Sequence, residues 1–164
     1  MNTAETAPAL ARVLAELVDG TDPAIGGLAL NSGDIGLLRS LDRLSAADAS
    51  RGADGGATIA AQAQHLRYGL SLMRRWAEEG GNPFTDATWD EAWKLSTVDA
   101  AAWQEIRTGL ADEAHRWLTA LRTPRDLSDI EYTGIVSSIA HLAYHLGAIR
   151  QIARETRGPR QGSA

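Results

Sequence analysis

Apolar residues recur along most of the chain at steps of three and four, the spacing of a helix that buries one face. No segment shows the sustained alternation of apolar and polar residues that is typical of a surface strand. The sequence therefore predicts an all-α protein.

The N-terminal part predicts two helices of unequal length. The first starts after Thr6, has Pro8 in its first turn and ends at Asp19-Gly20. A connection over residues 21–33 carries an apolar island at residues 28–30, and a short helix follows over about residues 34–44. Two arrangements stay open: the pair forms one broken element of a bundle, or one helix is the main element and the other an accessory.

Three long amphipathic helices follow a flexible turn over residues 51–58. The first runs from the N-cap Thr58 to about Glu79, the second begins near residues 96–99 and ends at Thr123, and the third starts with the capping box of Ser128 and Glu131. Their apolar stripes are Ile59, Ala63, Leu66, Leu70 and Met73; Trp103, Ile106, Leu110, Ala114, Trp117 and Leu121; and Ile135, Ile139, Leu142, Leu146, Ile149 and Ala153.

The link over residues 80–96 is long and contains Phe84, Trp89 and Trp93. Aromatic side chains in a long connection favour a loop that packs on the domain over a disordered linker. A link of this length also permits a crossover between helices that are not antiparallel neighbours. The sequence therefore predicts a four-helix bundle with a long crossover connection, with residues 1–157 as a single domain and 158–164 as a polar tail.

Three histidines carry the candidate chemistry. His141 and His145 are four residues apart on the last helix, which leaves their side chains about 40° apart around the axis and about 6 Å apart along it. His65 flanks the apolar stripe of a different helix, as the pair flanks its own. A third imidazole from a facing helix would leave a tetrahedral ion one open position, as in catalytic sites. His115 is interpreted as a surface residue, and an i,i+4 pair alone also arises by chance.

Composition limits the alternatives. The chain of 164 residues has no cysteine, which excludes disulfides, thiolate nucleophiles and sulfur-rich metal sites. A net charge of −5 argues against nucleic-acid binding, and Arg150, Arg154, Arg157 and Arg160 are interpreted as helix-end and tail residues. There is neither an apolar run of membrane-spanning length nor a signal-peptide pattern, so no membrane partner and a cytoplasmic location are expected. The motifs of a P-loop, a serine-hydrolase elbow and a His-Glu-x-x-His protease are also missing.

Four parts of the chain, in this order, match the pattern of a known family: residues 37–48 ahead of a Gly-rich turn, Gln64-His65-Leu-Arg-Tyr68, the long link, and His141-Leu-Ala-Tyr-His145-Leu-Gly147. In these parts the chain resembles the DinB/YfiT-like family of metal-dependent enzymes. The order of one lone histidine and a late His-x-x-x-His is the family's hallmark. The resemblance implies a four-helix bundle with a crossover and a divalent metal ion, commonly zinc or nickel, held by His65, His141 and His145. Many members carry glutamine where this chain has Ala148, so a hydrogen bond from that position is absent.

The resemblance implies a metal-dependent enzyme acting on a small-molecule substrate, either a hydrolase or a transferase or isomerase that uses an external low-molecular-weight thiol. Gln62, Arg67, Tyr68 and Tyr144 are candidates to support the site, or else they cover the edge of the bundle. A homodimer is expected, because relatives commonly dimerise and five tryptophans exceed the need of one narrow core. The alternatives are a metal- or small-ligand-binding bundle without turnover, and a structural dimerisation bundle whose histidines are incidental.

Overall fold

The computed structural model describes residues 2–160, which contain helices and no β-strand. The α-helices are α1 (Ala7–Asp19), α2 (Gly36–Asp42), α3 (Ala46–Ala49), α4 (Ile59–Glu79), α5 (Ala100–Arg122) and α6 (Asp129–Ile152), and Glu91–Lys94 and Arg154–Thr156 form 3₁₀ turns. The prediction of an all-α protein is confirmed for this part of the chain. No helix within residues 2–160 combines the length and the apolar character needed to cross a membrane. Residues 161–164 of the predicted tail lie outside the described residues.

Helix starts follow the side chains that can cap them. Thr58 and Ser128 cap α4 and α6 as predicted, and Ser128 forms the reciprocal capping box with Glu131. The start of α5 was predicted up to three residues early, since the N-cap is Asp99, whose carboxylate accepts the amide hydrogen of Ala102 at 2.8 Å. Helix α3 was not predicted, although it also begins with a capping box of the form Ser-x-x-Asp.

All members of the three predicted apolar stripes are buried and form one core. The core also takes in Leu14 and Leu17 of α1, which packs against α5 and α6. The short helix α2 lies on α1 and α5. The open question about the N-terminal segment is thereby answered: α1 is the main element of a helical bundle with α4, α5 and α6, and α2 is an accessory to it.

Helices α4 and α5 run in the same direction. Arg67 pairs with Glu105 at 3.5 Å, and seven residues further along α4, Arg74 pairs with Glu113 at 2.7 Å. The two helices are therefore parallel. The link between them must run back along the length of α4 before α5 begins.

The link over residues 80–99 makes this return along the surface of α4. The amide of Thr88 donates to the hydroxyl of Tyr68 at 2.9 Å, in the middle of α4. Seven residues later, the hydroxyl of Thr58 at the start of α4 donates to the carbonyl of Leu95 at 3.1 Å. The link is thus an ordered strap, in agreement with the prediction of a crossover that packs on the domain.

The C-terminal end of α6 is held by a buried ion pair. Two nitrogens of Arg150 donate to the carboxylate of Asp34 at 2.7 and 2.9 Å, and the side chains are 12% and 3% exposed. Arg150 thus lies in the last turn of α6, as the sequence predicted, but its guanidinium is also paired with a buried carboxylate. Sequence spacing could not show this, because Asp34 lies 116 positions earlier.

We expect the Asp34→Ala substitution to lower the free energy of unfolding by about 3–5 kcal/mol, because it leaves the Arg150 guanidinium buried without its counter-charge. Urea denaturation monitored by circular dichroism measures the change. The double variant Asp34→Ala/Arg150→Met should lose less than Asp34→Ala alone, since no unpaired charge remains. Asp90→Ala is the control, because its pair with Lys94 is exposed and should be worth less than about 1 kcal/mol. A double variant that is less stable than Asp34→Ala would contradict this explanation.

Candidate metal centre

The antiparallel contact of α4 and α6 brings the three predicted histidines together. The Nε2 atoms of His65 and His141 lie 2.9 Å apart, so one imidazole donates a hydrogen bond to the other. Each of His65, His141 and His145 offers one ring nitrogen, and these three nitrogens lie within 4.8 Å of one another. His65 therefore lies on the same side of the bundle as the pair, as the sequence predicted.

A divalent ion would bring the three nitrogens to nearly equal spacings. Nitrogen ligands of tetrahedral zinc lie about 2.0–2.1 Å from the ion, which places them about 3.3–3.4 Å from each other. The 2.9 Å between His65 and His141 is a few tenths of an ångström shorter, whereas the three nitrogens together are known to lie within 4.8 Å, so the rings would rotate to reach the spacing of a bound ion. The three residues thus form a compact donor set of imidazoles on two rigid helices.

Gln62 orients the deepest histidine. Its side-chain oxygen lies 3.2 Å from Nδ1 of His145, and both side chains are buried. Because a carbonyl oxygen only accepts, Nδ1 carries the proton and Nε2 keeps its lone pair for a ligand. Metal-binding histidines almost always donate their second nitrogen in this way. Gln62, which lies one turn before His65 on α4, is thus in a position to support His145.

Besides its hydrogen bond to His141, His65 is oriented by packing. Within residues 2–160, no hydrogen bond reaches its buried Nδ1 atom. Its ring lies against Trp93, with centroids 4.3 Å apart, and near Trp89 at 5.6 Å. The two indoles of the link therefore border the histidines. The strap therefore forms one wall of the candidate centre.

Burial keeps the three imidazoles uncharged at neutral pH. The pKa of His145 is lowered to about 4, mainly by burial and also by the charges that His141 and His65 would carry. Burial, followed by the charge of His141, lowers the pKa of His65, and burial lowers that of His141. All three rings are therefore neutral at pH 7, and only the proton that lies between the Nε2 atoms of His65 and His141 has to move to another nitrogen before all three rings can bind an ion.

The donor set is electrically neutral. Among residues 2–160, no hydrogen bond joins any of the three imidazoles to an Asp or Glu side chain. A divalent ion on three neutral ligands keeps its full charge, which favours Lewis-acid chemistry. The same arrangement lacks a carboxylate placed to act as a general base.

The other suggested residues have different roles. Tyr68 holds the strap through Thr88, and Arg67 pairs with Glu105 on α5. Tyr144 is 70% exposed and turns its ring edge towards His145 at 5.0 Å. His115 is a surface residue, as predicted, and bonds to Asp19 of α1 at 2.9 Å.

An apolar pocket, which was not predicted from the sequence, lies beside the histidines. It has a volume of about 490 Å³ and is lined by residues of α4, α6 and the strap, including His65 and His141. The available signal was a pair of glycines inside predicted helices, Gly69 and Gly134, which both line the pocket.

Comparisons with protein-family models, curated proteins and solved structures found no match for this chain. The interpretation of the centre therefore depends on its geometry and chemistry.

We expect His65→Ala, His141→Ala and His145→Ala each to abolish stoichiometric zinc uptake, because two imidazoles hold an ion much less tightly than three. Elemental analysis after zinc loading and dialysis measures occupancy. Helical content by circular dichroism should change little, since the apolar stripes carry the core. His115→Ala is the matched control and should bind as the wild type does.

Gln62→Leu should weaken zinc binding about 10- to 100-fold, because it removes the hydrogen bond that orients His145, whereas Gln62→Glu keeps an acceptor. A full equivalent of tightly bound zinc in a variant that lacks all three histidines would show that the ion binds elsewhere.

The metal-free protein should lose stability as the pH falls from about 6.5 towards 4. An unfolded histidine binds its proton near pH 6.5, whereas folded His145 does so only near pH 4. Between these values the unfolded state binds more protons, and His145 alone contributes a slope of at most about 1.4 kcal/mol per pH unit. Thermal melting in the presence of a chelator tests this. His145→Gln should show a shallower slope than the wild type over the same range, and equal slopes would contradict the assignment.

Proposed function

We propose that this chain is a metal-dependent enzyme of the DinB/YfiT-like kind, in which His65, His141 and His145 bind one divalent ion, zinc or nickel. The observation that carries the proposal is the convergence of three uncharged imidazoles within 4.8 Å. The order of the histidines along the chain and the returning strap between α4 and α5 are what a four-helix bundle of that family would have.

Each residue of the centre has a definite task in this proposal. The three histidines hold the ion, and Gln62 fixes the ring of His145 through Nδ1. Trp93 covers one side of His65, while the side towards the pocket stays open to a substrate. A bound divalent ion with an open position lowers the pKa of bound water or a thiol, or polarises a carbonyl group.

Two reaction classes follow from that chemistry. In a hydrolase the reacting group would be water. In a transferase or isomerase it would be the sulfur of an external low-molecular-weight thiol, because this chain has no cysteine. Since no carboxylate is hydrogen-bonded to the imidazoles, a reactant that needs little help from a protein base suits the centre better. A thiol is such a reactant, because its pKa is far closer to neutrality than that of water.

The absence of a nearby carboxylate base within residues 2–160 also favours a second candidate function. In it the bundle binds a metal ion and a small ligand without converting the ligand. The residues that hold the ion are the same in both functions, so only turnover distinguishes them.

A homodimer is also part of this proposal, and the exposed tryptophans of the strap, rather than the total number of tryptophans, now support it. Trp103 and Trp117 are buried in the core, whereas Trp89 and Trp93 are 37% and 41% exposed on the strap. The exposed tryptophans therefore lie beside the candidate centre, where they contact either a partner chain or a substrate.

We expect zinc- or nickel-loaded protein to turn over electrophilic substrates in the presence of a low-molecular-weight thiol, or simple esters or amides in its absence. Product formation is followed by chromatography across both substrate classes. His145→Ala should abolish the activity, and His115→Ala should retain it. Full metal occupancy without any turnover would favour the binding function instead. Turnover that survives removal of all three histidines would disprove the proposed centre.

A further inference from the structure

The pocket of about 490 Å³ begins at His65 and His141 and extends away from His145 between α4, α6 and the strap. The pocket therefore adjoins the side of the three-histidine cluster that His65 and His141 form. Its other lining residues are Leu66, Gly69, Leu70, Met73, Phe84, Trp89, Gly134, Ser137 and Ser138.

The lining contains no Asp, Glu, Lys or Arg side chain. Of its two serines, Ser138 is already engaged, since its hydroxyl donates to the carbonyl of Ile135 at 2.8 Å and accepts from Trp117 at 3.2 Å. A charged group in this pocket would lose water without gaining a counter-charge. The pocket therefore selects uncharged, apolar ligands.

Two glycines inside helices keep the pocket open. Glycine is the poorest helix former after proline, yet Gly69 lies within α4 and Gly134 within α6. A Cβ atom at Gly69 would lie 3.6 Å from the Trp89 ring, and one at Gly134 would lie 3.9 Å from the Met73 methyl group. Neither position therefore requires glycine to avoid a clash, but any side chain larger than alanine would enter the cavity.

The strap contributes two aromatic rings to the pocket wall, and α4 contributes the flexible side chain of Met73. The rings of Phe84 and Trp89 are nearly parallel, with an interplanar angle of 11° and centroids 6.2 Å apart. Met73 adapts its shape more readily than branched side chains do. Such a wall accommodates alkyl or aromatic groups that vary in shape.

We propose that this pocket binds the apolar tail of a small-molecule substrate and places the polar end of that molecule at the three histidines. The substrate class is thus a compound with an uncharged alkyl or aryl tail, because the lining of the pocket offers no counter-charge to a charged group on that tail. This inference rests on the proposed function, since the polar end is the part that would react.

The binding of apolar tails can be tested without a metal ion. The neutral dye N-phenyl-1-naphthylamine reports binding by its fluorescence, and n-alkanols from butanol to octanol compete with it. We expect their affinities for the chelator-treated protein to rise by about fourfold per methylene until the pocket is full. Octanoate should compete at least tenfold more weakly than octanol.

Gly134→Leu should weaken octanol binding at least tenfold, because the leucine side chain fills the cavity while leucine favours a helix. Gly147→Leu is the matched control on the same helix, where a Cβ atom meets nothing within 4 Å. It should bind the dye and the alkanols as the wild type does. Circular dichroism verifies that both variants fold.

The outcomes separate this inference from the proposed function. Chain-length-dependent binding in a protein that takes up no ion would sustain the pocket and reject the metal centre. Zinc uptake with alkanol affinities that do not rise with chain length, or that Gly134→Leu leaves unchanged, would overturn the pocket. A dimer that dissociates when octanol binds would show that a second copy of the chain occupies the pocket, and would also overturn the inference.

Discussion

Burial of three packed imidazoles, reinforced by the repulsion between their charged forms, is the constraint on which the candidate centre depends. A proton on His141 raises the free energy of a proton on His65 or His145, and burial disfavours charge on all of them. Such a cluster stays neutral at pH 7 and keeps three ring nitrogens within 4.8 Å of one another. Protonation of all three rings is therefore unfavourable, whereas their neutral forms are well suited to bind an external cation.

The rest of the bundle serves to hold two helices in register. The α4–α6 contact requires that α6 keep its position along its axis, and the Arg150–Asp34 pair ties its C-terminal end to the segment before α2. The strap closes the outer side of the contact and brings Trp93 onto His65. Because α4 and α5 are parallel, the link between them has to run back along α4. On this path it also forms one wall of the centre.

Local and periodic features were predictable from the sequence. The apolar stripes, the caps at Thr58 and Ser128, and the face shared by His141 and His145 all follow from helical geometry and short-range hydrogen bonding. The convergence of His65 with the pair followed from facing helices. Partners distant in sequence were not predictable, as with Asp34 and Arg150, because nothing in the local pattern specifies them. The pocket also escaped prediction, since it depends on how α4, α6 and the strap pack together.

X-ray absorption spectroscopy at the zinc edge of the zinc-loaded protein measures the proposed coordination most directly. Three imidazole nitrogens at about 2.0–2.1 Å and one further oxygen or nitrogen ligand from solvent are expected. The imidazole contribution should fall by one third in His65→Ala wherever that variant can be loaded at high zinc concentration. A zinc ion surrounded mainly by oxygen, or a spectrum that His65→Ala leaves unchanged, would contradict a centre built from His65, His141 and His145.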